Sequence, residues 1–188
     1  MILIQGEQIG LRLLEPEDAA LLWKWLNDPD VLAYYEGRDR PQSHDDIRGS
    51  FYEDTGEATL CIIQFMGNDI GYLQFYPLDD EDKQSYGYGE IDGVIYGMDQ
   101  FIGETAYWNK GIGTGLIGEV ARYLFSCQGA DKIVMDPQAW NERAIKVYEK
   151  NGFVKKRLLP RHEWHEGEYR DCWLIELDKE SLQKKLEK

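Results

Sequence analysis

The sequence predicts a mixed α/β (α+β) fold in a single domain spanning 1–188. Three observations predict it. Strand-like runs alternate with helical periodicities along most of the chain. Gly111-Ile112-Gly113-Thr114 opens onto an amphipathic stretch. A second helical run ends at Gly152 and passes into another strand-like run. The length, 188 residues, suits one domain with a substantial core. No internal repeat, low-complexity tract or linker interrupts it.

Ile9–Leu14 alternates as a strand. Glu15-Pro16-Glu17-Asp18 starts a helix, with proline and acids in its first turn. Ala20, Leu21, Trp25 and Leu26 supply its apolar face, and Asn27-Asp28-Pro29 stops it. Tyr34–Asp39 reads as irregular. Ser43 starts a short helix, with Asp46 completing an acidic capping box. Ala58–Phe65 and Ile70–Tyr76 are strands joined by a turn at Gly67-Asn68-Asp69. Asp79–Gln84 reads as an acidic loop continuing to Gly89, either a solvated connection or one wall of a cation site.

Ile91–Met98 follows as a central strand by pattern. Gly113–Ser126 is a helix with Leu116, Ile117, Val120, Ala121, Leu124 and Phe125 on one stripe. Lys132–Met135 is a short buried strand ahead of Asp136-Pro137. Asn141–Lys150 is the next helix. Phe153–Leu159 and Asp171–Leu177 are strands separated by His162–Gly167. From Lys179 onward the chain reads as a polar helix or frayed tail.

Composition excludes several functions. Lys and Arg number 21 against 35 Asp and Glu, a net charge of −14. Such a chain repels nucleic acid and anionic membranes and attracts polycations, although solubility alone also accounts for the charge. Cys61, Cys127 and Cys172 have neither the count nor the spacing of a disulfide framework or zinc site. His44, His162 and His165 form no metal pattern, so no metal is expected. Met1–Gln5 lacks the basic start and apolar run of a signal peptide. No apolar run approaches the roughly 20 residues that span a bilayer. A reduced, cytoplasmic protein is the expectation.

Two segments carry chemistry. Glycines at 111 and 113 let the backbone approach a phosphate, and the helix start adds unpaired N–H groups and partial positive charge. Lys110 is placed to assist. The loop is neither a Walker loop nor a full GxGxxG, so a plain turn before a helix accounts for it equally well. In the second segment Asn141, Ala144, Ile145 and Tyr148 share a helical face. Tyr148 there is either a core ring with a satisfied hydroxyl or a reactive phenol.

Gly111-x-Gly113-Thr114, then Asn141-x-x-Ala144-Ile145-x-x-Tyr148-x-Lys150-x-Gly152-Phe153, resembles the GCN5-related N-acetyltransferase superfamily. Within it, Tyr96-Gly97-Met98-Asp99-Gln100-Phe101-Ile102-Gly103-Glu104 resembles aminoglycoside 6'-N-acetyltransferases, as do Arg38-Asp39, His165-Glu166-Gly167 and Asp171-Cys172. The chain is especially similar to the acetyltransferase half of the bifunctional aminoglycoside-resistance enzyme. Trp108 stands where the superfamily usually has Gln or Arg.

The resemblance implies a mixed central sheet, splayed at the cofactor site and flanked by helices. It implies acetyl-coenzyme A as cosubstrate and a kanamycin-like aminoglycoside as acceptor. Met98, Lys110, Gly111, Ile112, Gly113, Thr114, Gly115, Asn141, Ala144 and Tyr148 would bind the cofactor. Asp99, expected just past its strand, would accept the amine's proton or orient the amine. Tyr148 would protonate the leaving thiolate. Asp136 and Asp171 would hold further ammonium groups, and Tyr35 and Trp25 either flank sugar rings or belong to the core. Two other readings stay open: another amine acceptor (a protein N-terminus, a polyamine or a siderophore precursor), or a binding module without transfer. Whether the chain is a monomer or a dimer is not legible.

Overall fold

A computed structural model describes residues 1–53 and 55–186. The last two residues of the expected C-terminal helix or tail lie outside them. Among the described residues eight strands form one mixed sheet: β1 (Ile2–Gln5), β2 (Ile9–Leu13), β3 (Thr59–Phe65), β4 (Asn68–Pro77), β5 (Ile95–Ile102), β6 (Lys132–Met135), β7 (Val154–His165) and β8 (Glu168–Asp178). Their order is β1-β2-β3-β4-β5-β6-β8-β7. The helices are α1 (Ala19–Trp25), α2 (Pro29–Leu32), α3 (His44–Arg48), α4 (Asp80–Tyr86), α5 (Ile112–Cys127), α6 (Glu142–Lys150) and α7 (Lys179–Leu186). Flanked in this way by helices, the sheet matches the expected fold class. The chain packs as two compact units.

The first unit comprises Met1–Phe75 with Asp99–Ile112. β1 to β4 form an antiparallel meander. β1 had no counterpart in the sequence reading. The β3–β4 hairpin turns on Met66 and Gly67, at φ 48° and 79°, rather than on Gly67–Asp69. Two left-handed residues match the twist of the flanking strands. Helix α1 buries Leu22, Trp25 and Leu26, whereas Ala20 is exposed. These side chains pack with Val31, Ile47, Phe51, Ile62, Tyr72 and Phe101 in one core. Ser43 and Asp46 cap α3 reciprocally, as expected.

The second unit comprises Tyr76–Met98 and the chain from Gly113. The acidic stretch expected as a loop is α4. Asp79 accepts from the Asp82 N–H at 2.8 Å, and Gly87 closes the helix at φ 83°. Acidic residues fill its first turn, where the helix dipole favours them. Strand β5 starts at Ile95, four residues later than expected. Gly93, at φ 138°, and the Asp131 carboxylate bonded to the Val94 N–H hold the preceding residues out of the strand. The strand therefore runs through Asp99 to Ile102. β5 pairs in parallel with β6 through Ile95, Tyr96 and Gly97. No side chain fits at Gly97, because a Cβ there would lie 2.6 Å from the Tyr76 ring.

Helix α5 buries the expected stripe, from Leu116 to Phe125. β7 and β8 are longer than expected and form a hairpin that turns at Glu166 and Gly167, at φ 47° and 89°. His162 and His165 therefore lie in a strand, not in a loop.

Candidate active site

In the first unit, Asp99 projects from β5 and is half-buried. Its Oδ2 accepts a hydrogen bond from Gln74 Nε2 at 2.9 Å. Gln74 Oε1 in turn accepts from the Tyr72 hydroxyl at 2.8 Å. Tyr72 is fully buried. Burial, and then the charge of Asp99, push its phenol well above its usual range, so it stays a neutral donor. The relay of neutral donors fixes the direction in which the carboxylate points.

The glycine loop is a pair of left-handed residues, Asn109 at φ 59° and Gly111 at φ 78°. It leads directly into the 16-residue α5. A Cβ at Gly111 would meet open space, so conformation and not crowding requires the glycine. Ile112 is buried, so it offers a ligand only its N–H. Met98 is likewise buried, which leaves its backbone as its only means of contact. Gly113 and Thr114 are half-buried, and Gly115 is exposed. Lys110 is exposed, with its ammonium 5.5 Å from the Tyr107 ring centre. Trp108, by contrast, donates its indole N–H to Ile102 O at 2.7 Å.

In the second unit, Asn141 is the N-cap of α6 and not a residue of its face. Its Oδ1 accepts from the Ala144 N–H at 3.2 Å. Capping consumes its acceptor and leaves its amide N–H groups as donors. Tyr148 is buried in α6, 5.9 Å from the Phe153 ring, and Ala144 is half-buried. Asn151, just past α6, was not singled out by sequence. It donates to both Thr114 O and Val147 O at 3.0 Å, binding the first turn of α5 to the end of α6.

A second polar cluster surrounds Asp136 at the end of β6. Its Oδ2 accepts from the Tyr86 hydroxyl at 2.7 Å and lies 2.8 Å from His162 Nε2. Burial opposes the charge of Asp136, but the contacts with His162 and Tyr86 outweigh it and hold the carboxyl below its usual range. The same contact raises His162, against the opposing effect of its burial. Burial raises Glu163 next to it. Asp171 is exposed and accepts from the Arg161 N–H at 2.8 Å.

One expected contact changes. Trp25 is fully buried, and its indole N–H donates to Glu104 Oε1 at 2.8 Å. It sits against Gly103 as core and presents no face to a sugar. Tyr35 is half-buried, its ring 4.7 Å from Phe101. Sequence reasoning missed Gln74, Tyr72, Tyr86 and His162. The signal for Gln74 was a lone amide within the apolar run of β4.

Among the described residues no group of three His, Cys, Asp or Glu side chains is arranged to hold a metal. None of their helices is long and apolar enough to cross a membrane.

Residues 15–160 match the family model described as an acetyltransferase (GNAT) domain. Aminoglycoside N(6')-acetyltransferase type 1 of Klebsiella pneumoniae is 30% identical over 155 residues, covering 80% of this chain and 76% of its own. An uncharacterized N-acetyltransferase, p20 of Bacillus licheniformis, is 26% identical, covering 91% of this chain and 93% of its own. Among solved structures, AAC(6')-Ib in complex with ribostamycin and coenzyme A superposes with a TM-score of 0.75 at 24% identity, covering 95% of this chain and 97% of the other. Spermidine N-acetyltransferase from Vibrio cholerae, with CoA and spermine, gives 0.75 at 20% identity, covering 95% and 99%. By the extent of the family match and the level of identity, the chain belongs to the GNAT acetyltransferase family.

Proposed function

We propose that this protein acts as a single domain that transfers an acetyl group from acetyl-coenzyme A to the 6'-amino group of an aminoglycoside, the modification that confers resistance. The observation that carries the reading is the half-buried Asp99 carboxylate, held by Gln74 and Tyr72, in a chain 30% identical to an aminoglycoside 6'-acetyltransferase over most of its length.

Acetyl-coenzyme A supplies an activated thioester. The α5 N-terminus, with Gly111, Gly113, Thr114 and Gly115, would cradle its pyrophosphate through backbone N–H groups, and Lys110 would add charge. The N–H groups of Ile112 and Met98 and the Asn141 amide would position the rest, with Ala144 packed alongside. Asp99 would orient the ammonium and take its proton. The freed amine would form the C–N bond as the C–S bond breaks; Tyr148 would give its proton to the sulfur, and the second proton shed by the new amide nitrogen would restore the phenol. Asp136 and Asp171 would hold further ammonium groups of the acceptor, and Tyr35 would border a ring. A net charge of −14 attracts such a polycation. The three unpaired cysteines fit a reducing compartment such as the cytoplasm.

The test is free-thiol release from acetyl-coenzyme A with kanamycin, beside spermidine and no acceptor. Release with kanamycin alone supports the reading. Equal or greater release with spermidine transfers it to a polyamine acceptor, and binding of coenzyme A without release overturns transfer altogether.

A further inference from the structure

One contact of the Asp136 cluster runs against a simple ammonium site. His162 Nε2 already lies 2.8 Å from the carboxylate oxygen that Tyr86 also occupies. Asp136 and His162 are both about one-third exposed, at 32% and 35%, so each stays within reach of a ligand. We propose that His162 is a specificity-determining residue that competes, as an internal cation, with the acceptor's ammonium group for Asp136. The proposal rests on the aminoglycoside reading above.

The physical basis is charge balance. A protonated His162 neutralises Asp136, and a second cation then gains little there. A neutral His162 leaves a full carboxylate. Among the described residues, most of the groups that act on the pair are acids or neutral donors. α4 contributes Tyr86 and Asp82, β4 contributes Tyr76, and β8 contributes Cys172 and Asp171. On β7, Glu163 favours the imidazolium and Arg157 opposes it. Arg157 is directed elsewhere, to Ser85 O at 2.8 Å. The bond to Asp136 raises the histidine's pKa and so favours the protonated ring. Linkage is reciprocal: if the proton weakens acceptor binding, acceptor binding must lower the affinity for the proton.

Two measurements on the full-length protein test this. The first is KM for kanamycin across about pH 6 to 8, the range of histidine titration. In the parent protein KM should fall about tenfold with rising pH. His162→Gln keeps a neutral donor, and should lower KM at the acid end and flatten the profile, with kcat moving less than KM. An unchanged parental profile in the variant, or the same rise in KM at every pH, overturns the proposal. The second is the NMR titration of His162 with and without saturating kanamycin and no acetyl-coenzyme A. The pKa should fall on binding. Kanamycin bound by calorimetry with the pKa unmoved overturns this inference alone. Failure to bind kanamycin overturns the aminoglycoside reading, and this inference with it.

Discussion

Gln74 and Asp99 are joined by one hydrogen bond, Nε2 to Oδ2 at 2.9 Å, and the buried Tyr72 hydroxyl fixes its direction by donating to Gln74 Oε1 at 2.8 Å. An amide is otherwise free to present either end. Here only the donor end faces the carboxylate, so Asp99 keeps its acceptor character. Asp99→Asn preserves shape and removes basicity. We expect kcat to fall by about 10²-fold or more with acetyl-coenzyme A affinity unchanged, the scale of a lost general base. Steady-state kinetics beside coenzyme A titration calorimetry measure both, and unaltered kcat would remove Asp99 from the mechanism.

Tyr72→Phe tests the relay separately from the carboxylate. It leaves the ring in the core and releases Gln74 to rotate. We expect a fall in kcat of about tenfold, smaller than for Asp99→Asn, because the base remains and only its orientation is lost. Tyr72→Phe combined with Asp99→Asn should be no slower than Asp99→Asn alone. Additive losses in that double variant would show that Tyr72 acts by another route.

Asn151 links the start of α5 to the end of α6 through Thr114 O and Val147 O. Replacing it with Leu leaves two carbonyls without their donor in a buried position. The cost should be about 1–3 kcal/mol. A domain of this size loses about 2–4 °C of Tm per kcal/mol, so calorimetry should show a drop of several degrees. If the first turn of α5 holds the pyrophosphate, coenzyme A affinity should weaken as well. Full stability with full affinity would mean that water replaces the amide.

Much of this was legible in the chain because local rules and tertiary packing agreed. The α5 stripe, the capping box at Ser43 and the glycine at 152 are properties of short segments, and each lies where sequence places it. Legibility failed where a signal had two readings. Asp79 and Gly87 bracket a helix as N-cap and closing glycine, but four consecutive acids also describe a loop. Asn141 fits a helical face by spacing and an N-cap by chemistry, and the cap won. Trp25 fits both the apolar face of α1 and the flank of a sugar, because no local rule says which face of α1 the sheet covers. The contacts of Gln74 with Asp99 and of His162 with Asp136 span 25 and 26 residues, a range no local periodicity reports.

Arg12 offers a stability prediction remote from the candidate site. Its guanidinium forms two bonds of 2.7 Å with Asp18 and two with Asp69, at 2.8 and 3.4 Å, tying β2 to the turn before α1 and to β4. Asp18 also accepts from the Glu15 N–H at 2.8 Å. Burial by itself would raise the Asp18 carboxyl, but the bonds from Arg12 and Glu15 outweigh it and hold it below its reference value of 3.8. In acid the unfolded chain therefore binds more protons at this residue than the folded chain does. Its contribution is complete above about pH 4 and is lost as pH falls through the lowered folded value. Arg12→Met keeps the apolar stem and leaves Asp18 buried without a cation, at a cost of about 3 kcal/mol near neutral pH. The carboxyl should then titrate higher in the folded variant, which therefore gives up less stability at this residue as pH falls, so the gap between variant and parent should narrow toward pH 3. Urea midpoints measured from about pH 7 down to pH 3 check both effects. Midpoints that coincide at every pH would show that the bidentate pair contributes nothing net to the fold.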